Sequence, residues 1–115
     1  MKRSIRFVVY GEPASKANSR RWTGKYFIKS KKALDYAKTF AEQCPTLDPL
    51  IDGDVKVTLH IWYASRRPDL DESLILDLMQ GRIYENDRAV KERHAYWHLD
   101  KDEPRTTIEV EQINA

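Results

Sequence analysis

The sequence has a single cysteine, Cys44, among its 115 residues. The chain can therefore form no internal disulfide and offers no cysteine-based zinc site, which favours a reducing, cytoplasmic setting. We expect Cys44 itself to be buried or partly buried, because a free cysteine behaves as a small apolar group. No apolar run approaches the ~20 residues that a membrane helix needs, so we expect no membrane partner. Repeats, low-complexity tracts and interdomain linkers are also lacking, and the length fits one domain over residues 1–115.

Acidic residues are scarce at the start of the chain and abundant afterwards. Residues 1–32 hold ten Lys and Arg but one acid, Glu12, giving a net charge of +9, whereas residues 33–115 have a net charge of −7. A basic segment joined to an acidic body suggests a polyanionic partner that is held at one end. The acidic part would repel phosphates unless metal ions lie between them. A charged surface without such a role explains the charge distribution equally well.

Hydrophobic periodicity predicts four main strands and two helices. The strands are expected at Ser4–Tyr10, Asp54–Tyr63, 88–98 and Thr106–Ile113, with a further short strand at 26–28. A helix over Lys31–Gln43 has Ser30 as its N-cap and a stripe that includes Ala33, Leu34 and Phe40. A second helix begins near Asp71 or Glu72 and stops at Gly81, with Leu70, Leu74 and Leu78 towards the core. The turn before Arg105 favours a hairpin between the last two strands.

The composition of residues 11–25 predicts a loop that carries many basic groups. Basic and aromatic residues alternate in and just after it: Lys16, Arg20, Arg21, Trp22, Lys25, Tyr26, Phe27 and Lys29. Basic side chains contact phosphates and aromatic rings stack on exposed bases, so this mixture suits nucleic acid. Alternatively, Trp22 or Phe27 fills the core below the loop.

Three acids, Asp69, Asp71 and Glu72, follow Arg66, Arg67 and Pro68, and a second acidic pair, Glu85 and Asp87, lies beyond the second helix. In extended backbone, residues i and i+2 point the same way, so Asp69 and Asp71 can aim at one point. Carboxylates in such numbers suit Mg²⁺ or Mn²⁺, which activate water and polarise a phosphodiester. Acids at a helix start also suit a capping box and the helix dipole. Residue types alone leave these two interpretations equal.

Three motifs occur in order along the chain. Gly11-Glu12-Pro13, with Lys16 and the arginines at 20 and 21, resembles a Gly-x-Pro-x-x-Lys-x-x-x-Arg opening. Pro68-Asp69-Leu70-Asp71 resembles an Asp-Leu-Asp-Asn core, and residues 81–90 resemble Gly-x-x-Tyr-x-Asp-Asp-x-x-Val. In this ordered combination the chain resembles the RusA family of Holliday junction resolvases over nearly its whole length.

The resemblance implies a crossover junction endodeoxyribonuclease that acts in DNA recombination and repair. It implies a small α/β (α+β) homodimer, with a mixed sheet of about four strands and two helices, that cuts four-way DNA junctions with Mg²⁺, Mn²⁺ being an alternative. Asp69, Asp71 and Asp87 match the family's catalytic metal-binding aspartates, and Glu72 is a further candidate ligand. The candidate nucleic-acid-binding residues are Lys16, Arg20, Arg21, Lys25, Lys29, Arg66, Arg67 and Lys91.

The chain departs from the family pattern at three positions. Glu72 replaces an asparagine, Asn86 replaces the first acid of the late pair, and Ile75 replaces a helix lysine. A cation at the position of Ile75 can stabilise the attacked phosphate, and Lys91 or Lys16 could take that role. Two alternatives therefore remain beside the nuclease. One is a non-catalytic protein of the same fold that binds branched nucleic acid, and the other is a structural domain whose acids cap a helix.

Overall fold

A mixed four-stranded sheet carries the fold. The computed structural model describes residues 2–14, 20–22 and 27–113. Its elements are β1 (Ser4–Tyr10), β2 (Arg20–Trp22), β3 (Phe27–Lys29), α1 (Lys31–Gln43), β4 (Val55–Tyr63), α2 (Ser73–Leu78), a 3₁₀ helix (Asp87–Ala89), β5 (Val90–Leu99) and β6 (Arg105–Gln112). The main sheet has the order β1-β6-β4-β5, in which only β4 and β5 are parallel. The predicted α+β class, with about four strands and two helices, is confirmed.

The central strand β4 has the clearest alternation. Val55, Val57, Leu59 and Ile61 are fully buried and belong to the main core, whereas the residues between them are half-buried. Because β4 has a partner on each side, its backbone groups are paired along both edges. The predicted strand and its apolar face are therefore confirmed.

Helix α1 has the predicted bounds and the predicted cap. The Ser30 hydroxyl accepts a hydrogen bond from the Ala33 N–H at 3.2 Å, and the helix ends at Gln43, before the buried Cys44. The buried stripe contains Tyr36 beside Ala33 and Phe40, whereas Leu34 is 54% exposed. The prediction for Leu34 was wrong because the larger ring of Tyr36, three positions after Ala33, fills that part of the core.

The predicted hairpin between the last two strands is wrong. Strands β5 and β6 both exist, but β6 lies on the opposite side of β4 from β5 and pairs with β1 and β4. The Asp100 N–H donates to the Tyr63 carbonyl at 2.8 Å, so the chain passes the end of β4 as it crosses. A polar turn shows only that the chain reverses, and the position of the returning strand depends on distant residues.

Two further boundaries differ from the prediction. Arg20–Trp22 forms β2, antiparallel to β3, where the composition predicted a loop. Helix α2 begins at Ser73, after the predicted start, and Leu70 is 37% exposed, so it is not part of the core ridge. The buried side of α2 consists of Leu74, Ile75 and Leu76. No helix in the described part of the chain combines the length and the apolar character needed to cross a membrane.

Candidate metal and nucleic-acid site

The acidic segment, residues 69–72, lies between the end of β4 and the start of α2. It is not helical, because α2 begins only at Ser73. Asp69 is exposed, and Asp71 and Glu72 are half-buried. An open backbone of this kind allows neighbouring carboxylates to face the same region, whereas a regular helix would separate Asp69 from Asp71 by about 200°.

Two aromatic side chains of the sheet contact this part of the chain. The Trp97 indole N–H donates to the Pro68 carbonyl at 2.9 Å, and the Tyr63 hydroxyl accepts from the Asp71 N–H at 3.3 Å. The two rings stack with centroids 5.8 Å apart. The Asp71 carboxylate in turn accepts from the Ser73 N–H at 2.9 Å. The acidic segment is therefore attached to the sheet at its start and near its middle.

Glu12 joins this region although it comes from the other end of the chain. Its carboxylate accepts from the Ala64 N–H at 2.9 Å and contacts the Lys32 ammonium at 3.2 Å. Burial raises the pKa of the Tyr63 phenol, and the negative charges of Asp71, Glu12 and Glu72 raise it further. Three carboxylates thus act on one hydroxyl. Sequence reasoning missed the role of Glu12, and its position directly after Gly11, at the end of a strand, was the only available signal.

Glu72 contacts a cation that the sequence reasoning did not single out. The Arg93 guanidinium on β5 lies 3.6 Å from the Glu72 carboxylate. Glu72 is the N-cap of α2 by position, but its side chain makes no capping hydrogen bond. The capping box from Asp69 to Glu72 is therefore not formed, and among these acids only Asp71 binds an N–H at the helix start.

Asp87 is held at the other end of α2. Its N–H donates to the Gln80 side-chain carbonyl at 2.9 Å, and Asn86 caps the 3₁₀ helix by accepting from the Arg88 N–H. Burial raises the pKa of the Tyr84 phenol, and the charges of Asp87 and Asp77 add to this effect. Asp71 is thus fixed beside Tyr63, and Asp87 is fixed in the surroundings of Tyr84.

The three predicted aspartates do not form one closed cage. Across residues 2–14, 20–22 and 27–113, no three His, Cys, Asp or Glu side chains are arranged to hold a metal ion. Mg²⁺, however, often binds through one or two carboxylates and completes its shell with waters and substrate phosphates. The carboxylates of Asp69 and Asp71, two positions apart on an open segment, fit that chemistry.

The candidate phosphate-binding residues occupy several places. Arg66 and Arg67 are exposed directly before the acidic segment, and Lys91 is exposed at the start of β5. Arg20, Arg21 and Lys29 belong to the β2–β3 pair, with Arg20 opposite Lys29 in register. Lys16 and Lys25 lie outside the described residues.

Ile75, at the position where the resemblance places a lysine, is fully buried in the core. The side chain at this position therefore faces the core and not the solvent-exposed side of the acidic segment. A cation for the site must come from elsewhere in the chain.

Comparison with known proteins identifies the family. No curated protein matches the chain. The family model described as endodeoxyribonuclease RusA matches residues 10–111, which is most of the chain and includes the acidic segment and Asp87. The chain belongs to the RusA family of endodeoxyribonucleases.

Proposed function

We propose that this protein is a Mg²⁺-dependent endonuclease that resolves four-way DNA junctions or related branched DNA by hydrolysing phosphodiester bonds. The RusA family as a whole consists of Holliday junction resolvases that typically depend on a divalent metal. For this chain, we propose the dependence on the metal, the cleavage itself and the residues that perform it.

Asp69, Asp71 and Asp87 would hold the metal, with Glu72 as an additional oxygen donor. When bound, Mg²⁺ supplies a polarised phosphate and a more acidic water. The chain's own contribution is orientation: the Asp71 carboxylate is directed by the Ser73 N–H at 2.9 Å. The exposed side chains of Arg66, Arg67 and Lys91 would contact the DNA backbone and place it over the carboxylates, together with the basic residues between positions 16 and 29.

The observation that carries this proposal is the open acidic segment beside two exposed arginines. Acids placed only to stabilise a helix lie within its first turn, yet Asp69 lies four residues before Ser73 and is exposed. Two cations and two carboxylates within six positions suit a phosphate that is bridged to a metal. The family match over residues 10–111 supports the same proposal of a nuclease site.

We further propose that the chain acts as a single-domain homodimer in the cytoplasm. A four-way junction is resolved by two paired cuts, and two identical sites supply them. A buried thiol without a disulfide partner suits a reducing compartment. Sedimentation at several protein concentrations checks the dimer, and a species of about 13.5 kDa throughout contradicts it.

The test is cleavage of a labelled four-way junction, with and without Mg²⁺, by the wild type and by Asp71→Asn. The asparagine keeps an oxygen that can accept from the Ser73 N–H, so folding is preserved while the charge is lost. We expect paired, Mg²⁺-dependent cuts by the wild type and a loss of about 100-fold or more in the variant, since even groups that merely support metal ligands contribute 10- to 100-fold.

Asp102→Asn is the matched control, because Asp102 is an exposed acid in the turn before β6, and its cleavage should equal that of the wild type. A linear duplex of the same sequence should remain uncut. Equal cleavage by wild type and Asp71→Asn would refute the assignment of Asp71.

A second candidate is a non-catalytic protein of the same fold that binds branched DNA. Two observations favour it: the described acids form no three-residue metal group, and Ile75 is buried where the resemblance places a cation. It predicts junction binding without cutting in either Mg²⁺ or Mn²⁺. The same cleavage assay, run beside a gel-shift assay, separates the two candidates.

A further inference from the structure

The acidic segment is attached to the sheet by two aromatic residues that carry no metal-binding atoms themselves. Trp97 is on β5 and Tyr63 is the last residue of β4, and their rings stack with an interplanar angle of 25°. The Trp97 indole N–H reaches the carbonyl of Pro68, just before the segment. The Tyr63 hydroxyl reaches the N–H of Asp71, in the middle of it.

These two hydrogen bonds bracket Asp69. Both bonds are made to backbone groups, the Pro68 carbonyl and the Asp71 N–H, and not to a carboxylate. The anchors themselves are rigid, because Tyr63 is only 2% exposed and Trp97 packs against the main core. A loop that is held at two points by one buried and one half-buried ring loses less conformational entropy when its carboxylates bind a ligand.

Both contacts lie before α2, which begins at Ser73. Tyr63 and Trp97 therefore support the non-helical backbone of residues 68–71 through its own N–H and carbonyl groups.

We propose that Tyr63 and Trp97 are positioning residues, which hold residues 68–71 in the open form that lets Asp69 and Asp71 act together on one Mg²⁺ ion. This inference rests on the proposed metal-dependent function. It assigns to the aromatic pair a role in metal affinity and not only in stability.

The test uses Tyr63→Phe and Trp97→Phe, which keep an aromatic ring but remove the hydroxyl acceptor or the indole donor. Junction cleavage is measured over a range of Mg²⁺ concentrations. We expect the half-saturating Mg²⁺ concentration to rise about fivefold in each variant, as for the loss of one ordinary hydrogen bond, and the rate to recover at high Mg²⁺. A purely structural role would lower the melting temperature and leave the Mg²⁺ dependence unchanged, and that result overturns the proposal.

The controls are Tyr96→Phe and Trp62→Phe, which make the same substitutions on β5 and β4. Both side chains belong to the ring stack formed with His60 and His98, at strand positions that alternate with those of Tyr63 and Trp97. Their Mg²⁺ dependence should match that of the wild type.

Amide hydrogen exchange at Asp71 provides a measurement that does not depend on activity. Removal of the Tyr63 hydroxyl should accelerate exchange of the Asp71 N–H about fivefold. If the wild type neither binds nor uses Mg²⁺, the proposed function fails. Unchanged exchange in Tyr63→Phe, in contrast, refutes the positioning role whatever the activity of the wild type.

Discussion

Ile75 shows how one residue can separate this chain from its family's pattern. The position follows Asp71 by four residues, and the resemblance places a lysine there, yet the Ile75 side chain is fully buried in the main core. Arg93 is a cation that contacts the acidic segment, at 3.6 Å from Glu72. Restoring the family residue would therefore put a charge into the core and not into the site.

We predict that Ile75→Lys lowers the free energy of unfolding by about 3–5 kcal/mol, as expected for an uncompensated buried charge, and does not increase junction cleavage. Thermal denaturation and the cleavage assay measure the two effects. Asp77→Lys, at an exposed position of the same helix, is the matched control and should cause a much smaller loss. A stable Ile75→Lys variant with faster cleavage would mean that the register of α2 differs from the one described.

At the scale of elements, the predictions that depend on neighbouring residues were correct, whereas the prediction that depends on residues far apart in the sequence was not. The alternation of β4 and the Ser30 cap of α1 depend on neighbouring residues, and both were predicted correctly. The position of β6 between β1 and β4 depends on pairing with residues about 50 positions away in β4 and about 100 positions away in β1, and a hairpin was predicted in its place. The start of α2 was predicted in part: the helix was expected to begin near Asp71 or Glu72, and it begins at Ser73.

The same distinction applies to the site. Asp69, Asp71 and Asp87 could be proposed because they are close in sequence and match a family motif. Glu12 and Arg93 could not, because each meets its partner only in the folded chain: Glu12 accepts from the Ala64 N–H after β4, and Arg93 on β5 contacts Glu72. Their contacts are properties of strand pairing, which a single sequence does not reveal.

The face of the sheet opposite the core carries a row of stacked rings. His60 Nδ1 and His98 Nε2 lie 2.8 Å apart, and His98 also stacks on Trp62, whose ring additionally contacts the Arg105 guanidinium at 4.3 Å. Tyr96 stacks on His60 with centroids 4.7 Å apart. A hydrogen bond between two imidazoles requires one of the facing nitrogens to be unprotonated.

Acid should therefore weaken this face of the sheet. Burial lowers the pKa of His98 from its ordinary value of 6.5, and His60 and Arg105 lower it further. Because the folded pKa is below the unfolded one, the stabilisation from His98 is complete above 6.5 and is lost as the pH falls through the folded value. We predict that the melting temperature falls between about pH 7.5 and pH 5, and that His98→Gln reduces this fall.

His94→Gln is the matched control for that measurement. His94 lies on the same strand, is exposed, and contacts Glu92 and not the ring stack. The melting temperature of the His94→Gln variant should depend on pH as that of the wild type does. A His98→Gln variant that loses as much melting temperature on acidification as the wild type would contradict the role of the imidazole pair.

At the scale of the whole molecule, the charge distribution should govern how DNA is bound. The net charge of residues 1–32 is +9 and that of residues 33–115 is −7, so attraction to phosphates comes mainly from the beginning of the chain. Within it, β2 and β3 place Arg20 opposite Lys29. Each phosphate that is neutralised releases counterions, so binding should weaken steeply with salt.

We predict that replacing Arg20 and Arg21 together by alanine makes the plot of log binding constant against log salt concentration shallower by about 2. The loss should be the same for junctions of different sequence, because backbone contacts carry no base information. Binding is measured without Mg²⁺, so that cleavage does not interfere.

Lys101→Ala is the control. Lys101 lies in the turn between β5 and β6, between Asp100 and Asp102. Because these acids oppose phosphate binding, the slope should not change in this variant. Equal slopes for the double variant and the wild type would place the DNA on another surface, and would leave Arg66 and Arg67 as the cations that hold it beside the acidic segment.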